Sequence, residues 1–197
     1  MQNSKIKKKI ITLIAPTACN KTSTAVHLVK KFPISIIGVD SVQIYKRFNI
    51  GSAKPPKEIL EKYRHHLVDS ADPENIFSVK DFYDQAYRIV MQAHSNNRIP
   101  LLVGGTMMYF NALFKGINDI PEGNEAIREE LQRELDNRGV DKLFNELKEI
   151  DPESAKTLKK NDKQRIIRAL EVFKMSGKKI SDFKKEAAEN IFEEFEF

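Results

Sequence analysis

The chain has 197 residues, 41% hydrophobic and 31% charged, enough for one sizeable soluble core or an ordinary domain with a smaller appendage. No apolar run approaches the roughly 20 residues of a membrane span, the start "MQNSKIKKKIITLIAP" is a poor secretory signal, and the single Cys19 permits neither an internal disulfide nor a zinc site of its own, so a cytoplasmic protein is expected. The net charge of +5 is uneven: residues 1–50 carry nine basic side chains against one acidic, residues 156–185 eleven against three, and residues 186–197 five Glu and no base. Two basic regions suit a polyanion, and solvated helix faces explain them equally simply.

Along the chain, "KIITLI" (9–14), "ISIIGV" (34–39) and "IPLLVG" (99–104) are short, β-rich apolar runs bounded by Gly, Pro or Asp, the pattern of buried parallel strands. Helical patterns lie between them, from Thr22 to Lys31 and from Val79 to Ala93, the second with Ser78 as its N-cap. Alternating strands and helices predict an α/β fold with a parallel sheet. Beyond Gly116 the pattern is helical only: "NEAIREELQRELDNRG" with Asn124 as cap and Gly139 as stop, "VDKLFNELKEID", and "NDKQRIIRALEVFKMSG" ending at Gly177. The final "KKEAAENIFEEFEF" is acidic with interspersed Phe, and no role is legible in it.

Each predicted strand ends in an unusual motif, and in a parallel sheet the carboxyl ends of the strands share one edge where ligands bind. The first opens into "APTACNKT", the phosphate-loop pattern G-x-x-x-x-G-K-[ST] with Ala15 and Asn20 at the two glycine positions and Lys21 and Thr22 intact. Such a loop wraps phosphate with backbone N–H groups at a helix start, while its Lys and hydroxyl serve phosphate and Mg²⁺. Glycine at position 20 permits a left-handed backbone; an L-residue there costs about 1–2 kcal/mol, and Asn bears it better than most. An ordinary strand-turn-helix capped by Thr17 or Asn20 fits the same residues.

The second strand ends at Asp40, a carboxylate suited to Mg²⁺ or to a general base, and equally to a turn. The third ends in Gly104-Gly105-Thr106, where Thr106 offers a hydroxyl to a ligand or caps the next helix. In "NDKQRIIRALEVF", Arg165 and Arg168 share a helix face that suits phosphate or base contacts, or solvent.

Taken together, "PTACNKT", "VDSVQIYKRFNIGSAKP", "HHLVD", "PLLVGGTMMYFNALFKG", "IREEL" and "NDKQRIIRALEVFKMSGKKISDF" resemble, in order and spacing, the tRNA dimethylallyltransferases (tRNA isopentenyltransferases) from about Ile10 to Phe183. The resemblance implies a P-loop-type core with helices on both faces over residues 1–117 and a helical tRNA-binding insertion over 118–183; an acidic tail of unknown structure, 184–197, follows where the resemblance fades. It implies transfer of a dimethylallyl group from dimethylallyl diphosphate to N6 of the adenosine beside a tRNA anticodon, by a monomer using Mg²⁺.

By position, Ala15, Pro16, Thr17, Ala18, Cys19, Asn20, Lys21 and Thr22 would hold the diphosphate, with Thr22 assisting Mg²⁺. Asp40 would be the general base and Thr106 would contact substrate near the reacting centre. The anticodon stem-loop would meet Asp40, Ser41, Val42 and Gln43, then Arg128, Gln164, Arg165, Ile166, Ile167 and Arg168.

Two departures from the family pattern carry expectations. The family has G-P-T-A-S-G-K-T where this chain has A-P-T-A-C-N-K-T, which predicts weakened phosphate binding. Family members also continue well past residue 197, so an incomplete sheet with an exposed edge is expected. The rival readings are an inactive RNA-binding remnant, a small-molecule P-loop kinase and an adenylate isopentenyltransferase; the helical insertion favours tRNA.

Overall fold

A computed structural model describes residues 8–197; residues 1–7, including Lys5 and Lys7 of the first basic region, lie outside the described residues. The chain divides into two compact units, one running up to Gly116 and including Asn190–Phe197, the other Ile117–Glu189.

In the first unit the predicted strands form, the first run divided at Ile10 between two sheets: β1 (Lys8–Lys9) and β2 (Ile11–Ile14), then β3 (Ile34–Val39), and, after the short β4 (His65–His66), β5 (Ile99–Gly104). The four-stranded sheet has the order β2-β5-β3-β4 and is parallel throughout. Every residue of β3 is buried, as expected of an apolar run covered on both faces. Helices α1 (Lys21–Val29), α2 (Lys57–Lys62), α3 (Val79–Ser95) and α4 (Met107–Lys115) connect these strands or follow them. Ser78 caps α3 in a complete capping box: its hydroxyl accepts the Asp81 N–H while the Asp81 carboxylate accepts the Ser78 N–H. Phe82 of α3 and Tyr109 of α4 stack with centroids 4.1 Å apart in the core.

The acidic tail is structured. Phe192 and Phe195 are buried against Tyr83 and Tyr87, with ring centroids 5.2–6.1 Å apart, and β6 (Phe195–Glu196) pairs in parallel with β1. The Tyr83 hydroxyl accepts the Ile191 N–H at 3.0 Å, and the Tyr87 hydroxyl donates to Glu194 at 2.7 Å. The tail's phenylalanines therefore supply apolar burial that its five glutamates do not, about 1.5–3 kcal/mol per buried ring. The expected exposed edge is present in part. Ile10 donates its N–H to the Glu196 carbonyl, but beyond it the outer edge of β2 is unpaired among the described residues, and Ile11 and Ile14 are exposed.

The second unit is helical: α5 (Glu125–Arg138), α6 (Val140–Ile150), α7 (Pro152–Thr157), α8 (Lys163–Ser176) and α9 (Ile180–Lys185). Asn124 caps α5, and Gly139 and Gly177 end α5 and α8 with positive φ. Leu131, Leu143, Leu147, Ile166 and Leu170 form its core. Two buried carboxylates organise its polar interior. Asp151 accepts the N–H groups of Ser154 and Ser181 and the Ser154 hydroxyl, and Glu171 accepts the Asn124 N–H and the guanidinium groups of Arg128 and Arg168. No helix among the described residues is long and apolar enough to cross a membrane.

Candidate active site

The carboxyl ends of β2, β3 and β5 bring the three motifs of the first unit to one place. At the first, Asn20 stands at the N-cap of α1 with φ 53° and ψ 25°, the left-handed conformation expected of the glycine it replaces. Its side chain caps nothing, so the reading of Asn20 as an ordinary helix cap does not hold. Ala18 is also left-handed, at φ 67°. The Lys21 ammonium folds back onto the Pro16 carbonyl at 2.5 Å, an interaction that closes the loop around its own centre.

The third motif depends on close backbone approach. A Cβ on Gly104 would lie 2.0 Å from the Val39 carbonyl oxygen, so only glycine lets β5 run beside β3 here. The same carbonyl accepts the N–H groups of Gly105 and Thr106, both at 3.2 Å, folding the loop after β5 over the end of β3. Thr106 consequently does not cap α4. Its Oγ1 instead accepts the Ser41 N–H at 3.0 Å, which joins the second and third motifs directly.

At the second motif, Asp40 Oδ1 accepts the N–H groups of Val42 (2.9 Å) and Gln43 (3.1 Å), the turn arrangement open from the sequence. Those bonds fix the carboxylate through one oxygen; Oδ2 has no hydrogen-bond partner among the described residues. Gln43 is committed in turn, its amide donating to the carbonyls of Ser52 (3.2 Å) and Ala53 (3.0 Å). Behind it the Lys54 side chain is buried, held by the Tyr45 carbonyl, Asn49 and Asp69, so the loop from Asp40 to Lys54 is tied down from within.

A cavity of about 560 Å³ opens between these elements. Thr17 to Ser23 form one wall, Asp40 and Gln43 another, and Val26, Ile59 and Val68 give it an apolar part. The residues expected to hold phosphate and the expected base thus face one space. Ala15 and Pro16 lie outside its lining, at the start of the loop; Thr106 does too, and reaches the site through Ser41.

Sequence reasoning gave no role to His65, Ser52, Ala53 or Lys30, which also line the cavity. The string "HHLVD" was the available signal for His65. Its Nδ1–H donates to the Tyr63 carbonyl at 2.6 Å and Nε2 is buried without a protein partner. Burial pushes its pKa below the ordinary value, against the opposing effect of that hydrogen bond.

The residues expected to meet RNA from the second unit divide. Gln164 and Arg165 are exposed on the first turns of α8, Arg165 paired only with Asp162 of the same turn. Ile166 and Ile167, expected to meet RNA, are core residues, 1% and 6% exposed, whose side chains pack inside the unit. Arg128 and Arg168 are each bound to Glu171, and Arg168 also donates to the Pro121 carbonyl. Of the later basic region, Lys160, Lys174, Lys178 and Lys185 also form ion pairs, so much of that charge is compensated locally.

The sequence pattern of the family described as IPP transferase matches residues 43–197. A tRNA dimethylallyltransferase of Vesicomyosocius okutanii is 46% identical over 177 residues, 90% of this chain and 58% of that protein. One from Dichelobacter nodosus is 44% identical over 168 residues, 85% and 53% of the two chains. Among solved structures, the full-length tRNA isopentenylpyrophosphate transferase of Bacillus halodurans is 40% identical with a TM-score of 0.54, over 87% of this chain and 57% of that one. The chain spans little more than half the length of these relatives. With its phosphate-type loop, Asp40 and Thr106 gathered at the ends of three parallel strands, the chain belongs to the IPP transferase family.

Proposed function

We propose that the chain transfers the dimethylallyl group of dimethylallyl diphosphate to N6 of the adenosine beside a tRNA anticodon. The observation that carries this reading is the single cavity lined by both the phosphate-type loop and Asp40. In the transfer, a bond forms between N6 and the allylic carbon as the bond from that carbon to the diphosphate oxygen breaks; one proton leaves N6. Asp40 Oδ2 accepts that proton while Oδ1 stays anchored by the Val42 and Gln43 N–H groups. The backbone N–H groups from Thr17 onward and the Lys21 ammonium, drawn off the Pro16 carbonyl, take the charge accumulating on the diphosphate.

Thr22 supplies a hydroxyl to the same cavity, the donor that a phosphate-type loop offers a Mg²⁺ ion bound mainly through substrate phosphate. When bound, Mg²⁺ would neutralise charge on the departing diphosphate. Gln164, Arg165 and the unpaired edges of Arg128 and Arg168 supply the RNA contacts, with Glu171 orienting the two arginines. An anticodon loop suits the reaction because its bases unstack more easily than those of a duplex.

The test is an incubation of the chain with Mg²⁺, dimethylallyl diphosphate and unmodified tRNA, followed by digestion and a search for prenylated adenosine. Product is expected from the unaltered chain and at least 100-fold less from Asp40→Ala, the scale on which general bases act. Absence of product with tRNA binding retained would overturn the catalytic reading in favour of an RNA-binding remnant.

A further inference from the structure

At the opposite end of the sheet, where β3 and β5 begin, the first unit has a second cleft of about 290 Å³. Successive residues of a strand face opposite sides of a sheet, and β4 shows the consequence: His65 lines the cavity described above, while His66 lines this cleft. Around His66 stand Lys62, Arg64 and Arg98, and no carboxylate lines the cleft.

Arg98 is fixed before any ligand arrives. Its Nε donates to the Ser35 hydroxyl at 3.0 Å and its Nη2 to the Ile34 carbonyl, leaving Nη1 uncommitted among the described residues. Arg64 forms no ion pair and no hydrogen bond among the described residues, unlike most arginines of this chain. Ser35, Gln92 and Asn96 add neutral hydrogen-bonding groups, and Val29, Ile34 and Ile89 an apolar side. Four permanent or potential cations held together without a counter-charge in the lining repel one another, and an anion relieves that repulsion. A planar guanidinium with free N–H groups matches phosphate oxygens in particular.

We propose that this cleft binds the phosphate group of a small organic phosphate, gripped by Arg64 and Arg98 with His66 between them. The concave shape and modest volume favour a free metabolite over the backbone of an RNA, and the apolar side accommodates a small non-polar body next to the phosphate. His66 reports on occupancy. Burial first, and then the charges of Arg64, Arg98 and His65, hold its pKa below the ordinary value. A bound phosphate offsets the repulsion from these cations, so His66 should titrate higher, and binding should strengthen as pH falls through that range.

The experiment follows the histidine ring signals of the full chain by NMR across pH 5–8, with the His66 signal assigned by its loss in His66→Gln. Inorganic phosphate at constant ionic strength is the probe, with chloride as the control. A rise of about one unit in the His66 midpoint is expected, equivalent to about tenfold tighter phosphate binding by the protonated form. It should persist in Lys21→Ala, which removes a lysine of the loop cavity, and vanish in Arg64→Gln. No rise, an equal rise with chloride, or an undiminished rise in Arg64→Gln would overturn the proposal. A rise produced by an RNA oligonucleotide and by no small phosphate would overturn it in favour of RNA. Because Lys21→Ala separates the two cavities, failure here leaves the prenyl-transfer reading untouched, and the reverse.

Discussion

The two units treat backbone strain in opposite ways. In the helical unit, the left-handed positions among the described residues are Gly139 and Gly177, each at a helix end where glycine adopts positive φ without cost. In the first unit, non-glycine residues take such positions at Ala18, Asn20, Arg47, Ala53, Leu67, Asp69 and Asn97. Ala18, Asn20 and Ala53 line the loop cavity, where each costs about 1–2 kcal/mol. The helical unit follows local rules; the first unit accepts local strain where the cavity needs a particular backbone path. Strain of this kind persists only where surrounding contacts outweigh it, and the Gln43 and Lys54 hydrogen bonds are such contacts around Ala53.

That contrast can be broken at its strongest supports first. Phe192→Ala removes a fully buried ring of the first unit and should destabilise that unit by about 3–5 kcal/mol. Hydrogen exchange in peptides spanning β3 and α3 would report the loss, with the helical unit unchanged. Glu171→Ala should do the reverse. It leaves Arg128 and Arg168 without their carboxylate, and a cost of about 3 kcal/mol should appear as lost protection over residues 125–176 while β3 keeps its own.

Acid should find the same weakness. Burial alone would raise the Glu171 and Asp151 pKa values. The Arg168 and Asn124 hydrogen bonds and the Arg128 charge at one, and the Ser154 and Ser181 bonds at the other, outweigh it and leave both lowered. A lowered carboxyl pKa contributes stability fully present above the unfolded values of 4.5 and 3.8 and lost as pH falls through the folded ones. Protection of the helical unit should therefore decline below about pH 4.5. The smallest effect is the sharpest for the strain itself: Ala18→Gly should stabilise the first unit by up to about 1 kcal/mol in thermal unfolding. A loss of stability there would show that Ala18 is unstrained.

Much of this was legible in the sequence because the signals were local. The boundaries of β3 and β5 coincide with the apolar runs read from sequence, Ser78 and Asn124 cap as expected, and the left-handed Asn20 follows from its place in the phosphate-loop pattern. What escaped depends on partners distant in sequence. The two-residue β4 has no pattern of its own and exists by pairing with Ile36 and Ile37; β6 exists by pairing with Lys8 and Lys9. The Thr106–Ser41 bond spans 65 residues, and nothing near Thr106 distinguishes it from an ordinary cap. Helical periodicity put Arg165 and Arg168 on one face correctly, but not the buried Glu171 that occupies Arg168.

The pairing of β6 with β1 also sets an order of assembly. Residues 117–189 interrupt the first unit, so during synthesis the helical unit is complete in sequence before Phe192 and Phe195 exist to fill the space beside Tyr83 and Tyr87. The core of the helical unit lies within residues 117–189, and it can form as it emerges; the first unit must wait for a contact closing nearly the whole chain. Until then Tyr83 and Tyr87 lack the rings that cover them, and a nascent-chain chaperone would find its apolar target there rather than among the helices.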